Sequence, residues 1–469
     1  MVSWDRRSPA ERDRIRDTVL RGWMTAAADF SPFWSERLTR AGVSAAEIRS
    51  PEDLQRVPPV RELELLDAGG PGSPALLLRP REEQIKARAS LVTLMRIARG
   101  IRREGDGGKA TVLLGEYKPI HLHASGRDRR LAIAYTRSDL DRLHRAGARA
   151  AAVLDLSRGD HLVSAIPADG TLRFWGLYHL ALGASILAVH ARRVGHGLEE
   201  VAVGFRLAPA TVVAVPVSEA IRLAATLADA HVRLSGVHTV VVAGPPPDVE
   251  ARRAMVEAWQ AAGATRGVRV LAVWAPVGAR ALWAECAAAA PNTTGLHTYP
   301  DLELLEVVDP VSGRPVDHGP GDLTYTSAGW HGTGLIRFRT GDRVGGLTDE
   351  PCPACGRTVP RVLPDVVPAA WQPLARTADG PRRLDLRGAA LVLSSEPGVG
   401  PWRVELRGPT ARRAGDAYVV QLAGELAPAH LRALDRRLAA GVGLAPLQLI
   451  VSDHEQVEAT ADGVFADRR

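Results

Sequence analysis

Three apolar runs, TVVAV at 211–215, HTVVVA at 238–243 and VRVLAVW at 268–274, are separated by two longer Ala- and Leu-rich stretches at 217–230 and 248–262. Each run is rich in Val and has the length of one strand, whereas the longer stretches have helical spacing of their apolar residues. Strands that alternate with helices pair mainly in parallel. The region therefore predicts an α/β fold with a mainly parallel sheet.

The alternation extends upstream of this region, and its character changes downstream. Upstream, we predict strands at 131–135, 161–166 and 184–189, with helices at 138–150 and 173–182. Downstream, apolar runs near 303–308, 322–326 and 334–339 follow one another without intervening helices. Such a succession is more typical of antiparallel strands.

The first 110 residues form a predicted helical N-terminal region. Apolar residues recur at helical spacing through 9–48, and Ser8-Pro9 with Glu11 is a typical helix start. A second, basic helix is predicted over 82–104, and the glycines of 105–108 end it.

A proline-rich stretch near 360–380 predicts a domain boundary: Pro360, Pro364, Pro368, Pro373 and Pro381. We therefore expect a large domain over 1–363 and a small α+β domain over 364–469. The small domain has predicted strands at 390–394, 403–407, 417–421 and 447–451, and a helix at 427–440.

Composition excludes several classes of protein. The 469 residues contain no run of about 20 apolar residues and no apolar secretory signal near the N-terminus. Three cysteines are too few for a disulfide framework and suggest a reducing compartment, so we predict a cytoplasmic protein. Because there is no long apolar run, we expect no membrane partner. The net charge of +6 is the sole argument for nucleic-acid binding. Because the arginines are interleaved with acids, a solvated surface is favoured and no nucleic-acid partner is expected.

Several short motifs follow one another along the chain in a characteristic order. They are Ser31-Pro32-Phe33-Trp34, Pro51-Glu52-Asp53-Leu54, His123-Ala124-Ser125-Gly126 leading to Tyr135-Thr136, Gly295-Leu296-His297, Ile336 to Asp342, and Cys352-Pro353-Ala354-Cys355-Gly356-Arg357. In this order, spread over nearly the whole chain, they resemble the phenylacetate–CoA ligase family of adenylate-forming enzymes.

The resemblance implies a large N-terminal adenylate-forming domain and a small, mobile C-terminal lid. It also implies a two-step reaction. ATP and a carboxylate give an acyl-adenylate and pyrophosphate, and the thiol of CoA then displaces AMP to give a thioester. ATP, Mg²⁺ and CoA are the cofactors expected of an active member, and a carboxylate is its substrate.

The resemblance also implies a nucleotide site. Asp342 stands where the family places an acceptor for the ribose hydroxyls, with Arg339 and Thr340 beside it, and Ser125, Gly126 and Arg127 begin the stretch where the family has its phosphate loop. From the residues alone, Gly341-Asp342 is also compatible with a plain turn, and 125–131 with a charged surface hairpin.

Four departures from the family pattern argue against ordinary catalysis. The phosphate loop is short and poor in Gly and Ser. No carboxylate stands in 274–279, where the family has its Mg²⁺-binding Glu, and 243–247 lacks another motif Glu. No Lys follows Lys118, whereas the superfamily has a catalytic Lys near the end of its lid, at the place of 462–464. We therefore expect a weak or non-catalytic homologue that binds ligands or a protein partner. The alternative is an active AMP-forming acid–thiol ligase whose phosphate contacts come from arginines.

Cys286, His297, Cys352 and Cys355 form a predicted zinc site. Three thiols and one imidazole are a complete tetrahedral ligand set, which is typical of structural zinc. The alternative places Cys286 in the core on an Ala-rich helix and leaves the other two thiols free.

Three further histidines lie near these motifs. His179 falls in a block where the resemblance places the acyl pocket, although a core or surface His is also compatible. His121 and His123 alternate on a predicted strand, and two histidines alone do not make a metal site.

Overall fold

A computed structural model shows how these motifs are arranged. It describes residues 4–69, 74–81, 83–84, 95, 98–99, 102, 115–125, 131–310, 312–368, 371–377, 380–396, 398–424, 426–452, 457 and 465–467. The chain forms two compact units, Met1–Val366 and Val367–Arg469. No helix in the described part of the chain has the length and hydropathy needed to cross a membrane.

The described residues before the first strand include the helices α1 (Pro9–Phe30), α2 (Pro32–Arg40), α3 (Pro51–Leu54) and α4 (Glu62–Gly69). The predicted start of α1 is confirmed, because the Glu11 amide donates to the Ser8 hydroxyl at 3.3 Å. Ser31 caps α2 in the same way through the Trp34 amide. The predicted helix at 82–104 and the glycine turn at 105–108 lie almost wholly outside the described residues.

Strands β1 (His121–Ser125) and β2 (Leu131–Tyr135) form an antiparallel ribbon. The predicted strand at 131–135 is therefore confirmed, but it pairs only within this ribbon and not with the large sheet. Two helices follow, separated by one strand: α5 (Arg137–Val153), β3 (His161–Ser164) and α6 (Leu172–Ala184).

The large sheet has nine strands within the described part of the chain. Its first half consists of β3, β4 (Leu187–His190), β5 (Val212–Pro216), β6 (Thr239–Ala243) and β7 (Arg269–Trp274). The helices α7 (Val201–Leu207), α8 (Ala220–Asp229) and α9 (Val249–Ala261) lie between β4 and β5, β5 and β6, and β6 and β7. These strands are all parallel, in the order β4-β3-β5-β6-β7. The α/β prediction is confirmed for this half.

The second half of the sheet is antiparallel. It is built from β8 (Trp283–Glu285), β9 (Leu296–His297), β13 (Leu347–Thr348) and β14 (Arg361–Val362), which continue in the order β7-β8-β9-β14-β13. The sheet is thus mixed.

Both faces of the parallel strands are buried, which explains their nearly unbroken Val content. On one face, Val212, Val241 and Leu271 join the core shared with α1, α5 and α6. On the other, Val213 and Val240 pack with residues of α7, α8 and α9.

A second sheet pairs β10 (Leu304–Val308), β11 (Gly321–Thr326) and β12 (Phe338–Val344) as antiparallel neighbours. The strand predicted at 334–339 begins only at Phe338. Arg337 has a positive φ of 45°, which interrupts extended backbone just before this point.

The unit Val367–Arg469 contains β15 (Leu374–Thr377), β16 (Gly380–Arg383), α10 (Leu386–Ser395), β17 (Trp402–Arg407), β18 (Ala417–Leu422), α11 (Pro428–Val442), β19 (Gln448–Val451) and β20 (Phe465–Asp467). The strand predicted at 390–394 is wrong, because this segment lies inside α10. Asp385 caps that helix through the Arg387 amide, and Leu386, Ala389 and Leu393 recur at helical spacing on its buried face.

Candidate nucleotide site and metal centre

The end of β1 contacts the turn that follows β7. The Ser125 hydroxyl accepts a hydrogen bond from the Gly278 backbone amide at 3.0 Å. Gly278 has a φ of +77°, and a Cβ on it would lie 2.9 Å from a ring carbon of Phe338. Because no side chain fits there, this turn packs directly between β1 and the start of β12.

Asp342 lies on β12 just after an irregularity in the strand. Pairing with β11 shifts between Asp322 and Thr324, and Gly341 has a φ of +82°. Such a bulge re-aims the side chains that follow it. The Thr340 hydroxyl donates to the Leu323 carbonyl at 3.0 Å and accepts from the Asp342 amide at 3.1 Å. Asp342 is 7% exposed, so its carboxylate is held on the buried face of the strand.

Arg339 points to the opposite face of β12. Its guanidinium lies 2.5 Å from the Asp322 carboxylate and donates to the Pro310 carbonyl at 2.9 Å. The side chains of Arg339 and Thr340 thus both have protein partners that bind β12 to its surroundings.

Part of the predicted site cannot be placed. Gly126 and Arg127 lie outside the described residues, as do 128–130. The same holds for 462–464, where the resemblance predicts the position of the superfamily's catalytic Lys.

The four predicted zinc ligands converge. Cys286 directly follows β8, His297 ends β9, and Cys352 and Cys355 lie in the loop between β13 and β14. Their ligand atoms all lie within 4.8 Å of one another, and three of the four residues are buried. Cys286 is buried in the core, as the alternative predicts, but it precedes a single 3₁₀ turn over Ala287–Ala289 and does not lie on a longer helix.

The 352–357 loop has the shape of a metal-binding knuckle. The Gly356 amide donates to the Cys352 carbonyl at 2.8 Å, and the Cys352 amide donates to the Arg357 carbonyl at 2.8 Å. Gly356 has a φ of +68°, a conformation that glycine adopts without strain. Both thiols therefore point to the same side of the loop, toward Cys286 and His297.

The donor set fits zinc by its chemistry and spacing. The Cys355 sulfur lies 3.8 Å from His297 Nε2, close to the edge of a tetrahedron built from Zn–S and Zn–N bonds of about 2.3 and 2.0 Å. The Cys286 thiol, then His297 and Arg357, hold the pKa of Cys355 well below its usual range through hydrogen bonds. A thiolate is the form of cysteine that ligates zinc.

The knuckle is tied to the N-terminus of the chain, which the sequence did not predict. The Thr358 amide donates to the Asp5 carbonyl at 2.8 Å, and its hydroxyl donates to the Arg7 carbonyl at 2.6 Å. The Asp5 carboxylate binds Arg149 at 2.7 Å, and Arg149 also binds Asp301 at 2.8 Å.

His179 lies on α6 and is partly buried. Burial, together with His144 and His121, lowers the pKa of His179 to about 4. His121 contributes to this shift. It shares one face of β1 with His123 and Ser125, because residues i, i+2 and i+4 of a strand lie on the same side.

Comparison with known proteins identifies the class. No protein-family model matches the chain. A structure of 2-hydroxyisobutyryl-CoA ligase in the postadenylation state, in complex with R3-HIB-AMP, matches with a TM-score of 0.71 and 19% identity. The match covers 99% of this chain and 90% of that one. The same enzyme with 2-HIB-AMP and CoA, in the thioesterification state, matches with a TM-score of 0.64, at 18% identity over 98% and 91%. The fold is therefore that of the adenylate-forming CoA ligases.

Within this class, one curated protein is also similar to the chain in sequence. The chain is 29% identical over 368 residues to the phenylacetate-coenzyme A ligase of Thermus thermophilus. The alignment covers 76% of this chain and 70% of that protein. The chain is thus a homologue of phenylacetate–CoA ligase, and the resemblance inferred from its motifs is confirmed.

Proposed function

We propose that this chain is a zinc-stabilised, phenylacetate–CoA ligase-like protein that binds an adenine nucleotide and a carboxylate but adenylates weakly or not at all. It keeps the framework of the fold and its ribose acceptor. No carboxylate stands at the family's Mg²⁺-binding position among the described residues 274–279, and the sequence of the phosphate-loop stretch is short and poor in Gly and Ser. A cytoplasmic location and a protein partner are parts of the same proposal.

The observation that carries the proposal is the packing of Gly278. The family pattern here is aromatic-Gly-x-Ser/Thr-Glu, and counting from Trp274 the Glu position falls on Gly278. Its backbone amide is used by Ser125, and a Cβ would meet the Phe338 ring. A carboxylate cannot be provided at this position without rearranging the turn. Mg²⁺ prefers carboxylate oxygens, so its principal protein ligand is missing.

In this proposal Asp342 accepts hydrogen bonds from the ribose hydroxyls, and Arg339 and Thr340 position its strand. Ser125, Gly126 and Arg127 form what remains of the phosphate loop. Such a site favours AMP, since the energetic contribution of the outer phosphates depends on the metal and on a full cradle of amides.

The zinc in this proposal is structural. All four protein ligands are supplied by Cys286, His297, Cys352 and Cys355, so no open position remains for water or substrate. The metal would fasten β8 and β9 to the loop that also holds the N-terminal residues.

The second candidate is an active ligase that uses ATP, Mg²⁺ and CoA. The retained Asp342 and the homology to a phenylacetate–CoA ligase favour it. Carboxylate-dependent release of pyrophosphate separates the candidates, with the acids supplied as a panel that includes phenylacetate. We expect no release above that of the Asp342→Ala variant. Release that needs both the acid and intact Asp342 would overturn the proposal in favour of the active ligase.

A further inference from the structure

An open pocket lies beside the N-terminal edge of the parallel strands. Its walls come mainly from two segments, 205–210, which joins α7 to β5, and 230–233, which follows α8. The pocket has a volume of about 450 Å³, within the range of small-molecule sites in proteins. It therefore has room for a ligand larger than a simple ion.

The pocket and the candidate nucleotide site lie at opposite edges of the sheet. Segment 205–210 leads into β5 and 230–233 leads toward β6, so both lie before the strands begin. Gly278 instead follows the end of β7. Open α/β sheets bind their principal ligands outside the carboxyl ends of the strands. A molecule in the pocket would thus be a second ligand, separate from the nucleotide.

Hydrogen bonds hold both walls of the pocket in place. His161 Nδ1 donates to the Pro209 carbonyl at 3.0 Å, and the Val232 amide donates to the Leu227 carbonyl at 2.9 Å. His231, in the second wall, has a φ of 52°. Such strain in a residue other than glycine persists only where the surrounding structure imposes it, and it is concentrated at functional sites. The walls are therefore preformed and need little ordering when a ligand binds.

The lining combines apolar side chains with two guanidinium groups. Phe205, Leu207 and Val232 supply apolar surface, and Leu207 is 72% exposed. Arg206 and Arg233 also line the pocket, and neither has an ion pair within the described part of the chain. A ligand with an apolar body and a negative charge would cover the leucine and pair with the arginines at the same time.

A cationic ligand is the alternative, because α7 and α8 both end at this pocket. Each helix C-terminus has about half a negative charge. The two guanidinium groups have full positive charges, which exceed these partial charges. The carboxylate of Asp229, the last residue of α8, is not part of the lining. The balance of charge therefore favours an anion.

We propose that this pocket binds an organic anion, a molecule with an apolar body and one carboxylate, sulfonate or phosphate group. The body lies against Phe205, Leu207 and Val232, and the anionic group binds Arg206 and Arg233. Guanidinium groups bind such oxyanions through charge-assisted hydrogen bonds. The inference goes beyond the proposed function, because it requires neither the nucleotide nor the carboxylate substrate.

The test is a fluorescence titration of the full chain with two matched probes. Anilinonaphthalene sulfonate is an apolar aromatic body with one sulfonate, and phenylnaphthylamine is the same body without it. We expect the sulfonate to bind at least about ten-fold more tightly than the neutral probe, and added NaCl should weaken only the sulfonate. Saturating AMP should displace neither probe, because the candidate nucleotide site lies at the other edge of the sheet.

Variants locate the binding. Arg206→Ala/Arg233→Ala should weaken the sulfonate about ten-fold and leave the neutral probe within about two-fold. Arg222→Ala/Arg253→Ala is the matched control, because it removes the same charge from two exposed arginines outside the pocket and should change neither affinity. Val232→Trp fills the pocket from a partly buried position and should weaken both probes.

Equal affinities of the two probes, or displacement of the sulfonate by AMP, would overturn the inference. So would equal losses in the two double-arginine variants, or a Val232→Trp variant of unchanged Tm that binds both probes as the parent chain does. If Val232→Trp fails to fold, the arginine variants, which change exposed positions alone, decide the matter. The readout needs neither turnover nor AMP binding, so failure of the proposed function and failure of this inference are distinguishable.

Discussion

The Ser125 hydroxyl and the Gly278 backbone amide are joined by a hydrogen bond of 3.0 Å. The contact spans 153 residues of sequence and connects β1 to the turn after β7. In the proposed function, this contact lies at the position where the family pattern would provide a magnesium-binding carboxylate. One contact thus links the altered sequence of 274–279 to the proposed loss of adenylation.

Gly278 should not tolerate a side chain. The Gly278→Ala variant should lose about 1–3 kcal/mol of unfolding free energy, because φ is positive and the new Cβ meets the Phe338 ring. Gly263→Ala is the matched control, since Gly263 also has a positive φ but has open space around it. Its loss should be the smaller of the two, about 1–2 kcal/mol, because only the backbone strain of a positive φ remains. Equal losses in urea denaturation would show that the contact with Phe338 is unimportant.

If the four-residue cluster binds zinc, both the zinc content of the protein and its Tm should depend on the cysteines. Purified protein should contain about one zinc per chain by elemental analysis. The Cys352→Ser/Cys355→Ser variant should lose the metal, and its Tm should fall by about 10 °C, because zinc binding is coupled to the folding of its ligand loops.

A histidine outside the cluster provides the control for this experiment. His318 is exposed, so His318→Ala should keep both the zinc and the Tm. A metal-free preparation with full stability would contradict the zinc assignment.

Glu303 should make stability depend on pH. Its carboxylate accepts hydrogen bonds from Trp283 Nε1 at 2.6 Å and from the Tyr299 amide at 3.0 Å, yet burial raises the pKa of Glu303 from 4.5 to about 8. Because the folded-state pKa is the higher one, the protonated form favours folding. This stability is complete below about pH 4.5 and is lost as pH rises to about 8, by at most about 1.4 kcal/mol per pH unit.

The Glu303→Gln variant should therefore have a flatter stability profile between pH 5 and 8 than the parent chain, as measured by urea denaturation. Glutamine keeps the accepting oxygen but does not titrate. Glu257→Gln is the control, because Glu257 is exposed on α9. If the profiles of the parent and Glu303→Gln run parallel, Glu303 does not titrate in this range.

The sequence predicted those features that depend on local pattern or on residue chemistry. The runs near 211, 238 and 268 were recognisable because both faces of their strands are buried. The proposed zinc ligands were recognisable because Cys352 and Cys355 have a knuckle spacing. The helix at 386–395 was missed, since the local run around Leu391 is equally apolar in either conformation and only tertiary packing distinguishes them. The role of Gly278 could not be predicted, because its contact with Phe338 joins segments that lie far apart in the sequence.

Asp342 should govern nucleotide affinity. In calorimetry, Asp342→Ala should bind AMP about 10–100-fold more weakly than the parent chain, which corresponds to the loss of charge-assisted hydrogen bonds to the ribose. Asp317→Asn, at an exposed position, should bind AMP as the parent does. AMP binding that is unaffected by Asp342→Ala would place the nucleotide elsewhere.

The most direct test compares AMP with ATP–Mg²⁺ by calorimetric titration of the same protein. If Mg²⁺ and the outer phosphates have lost their protein ligands, ATP–Mg²⁺ should bind no more tightly than AMP. Binding of ATP–Mg²⁺ at least about ten-fold tighter than AMP, equivalent to about 1.4 kcal/mol, would contradict this and show that the site still holds the metal and the triphosphate.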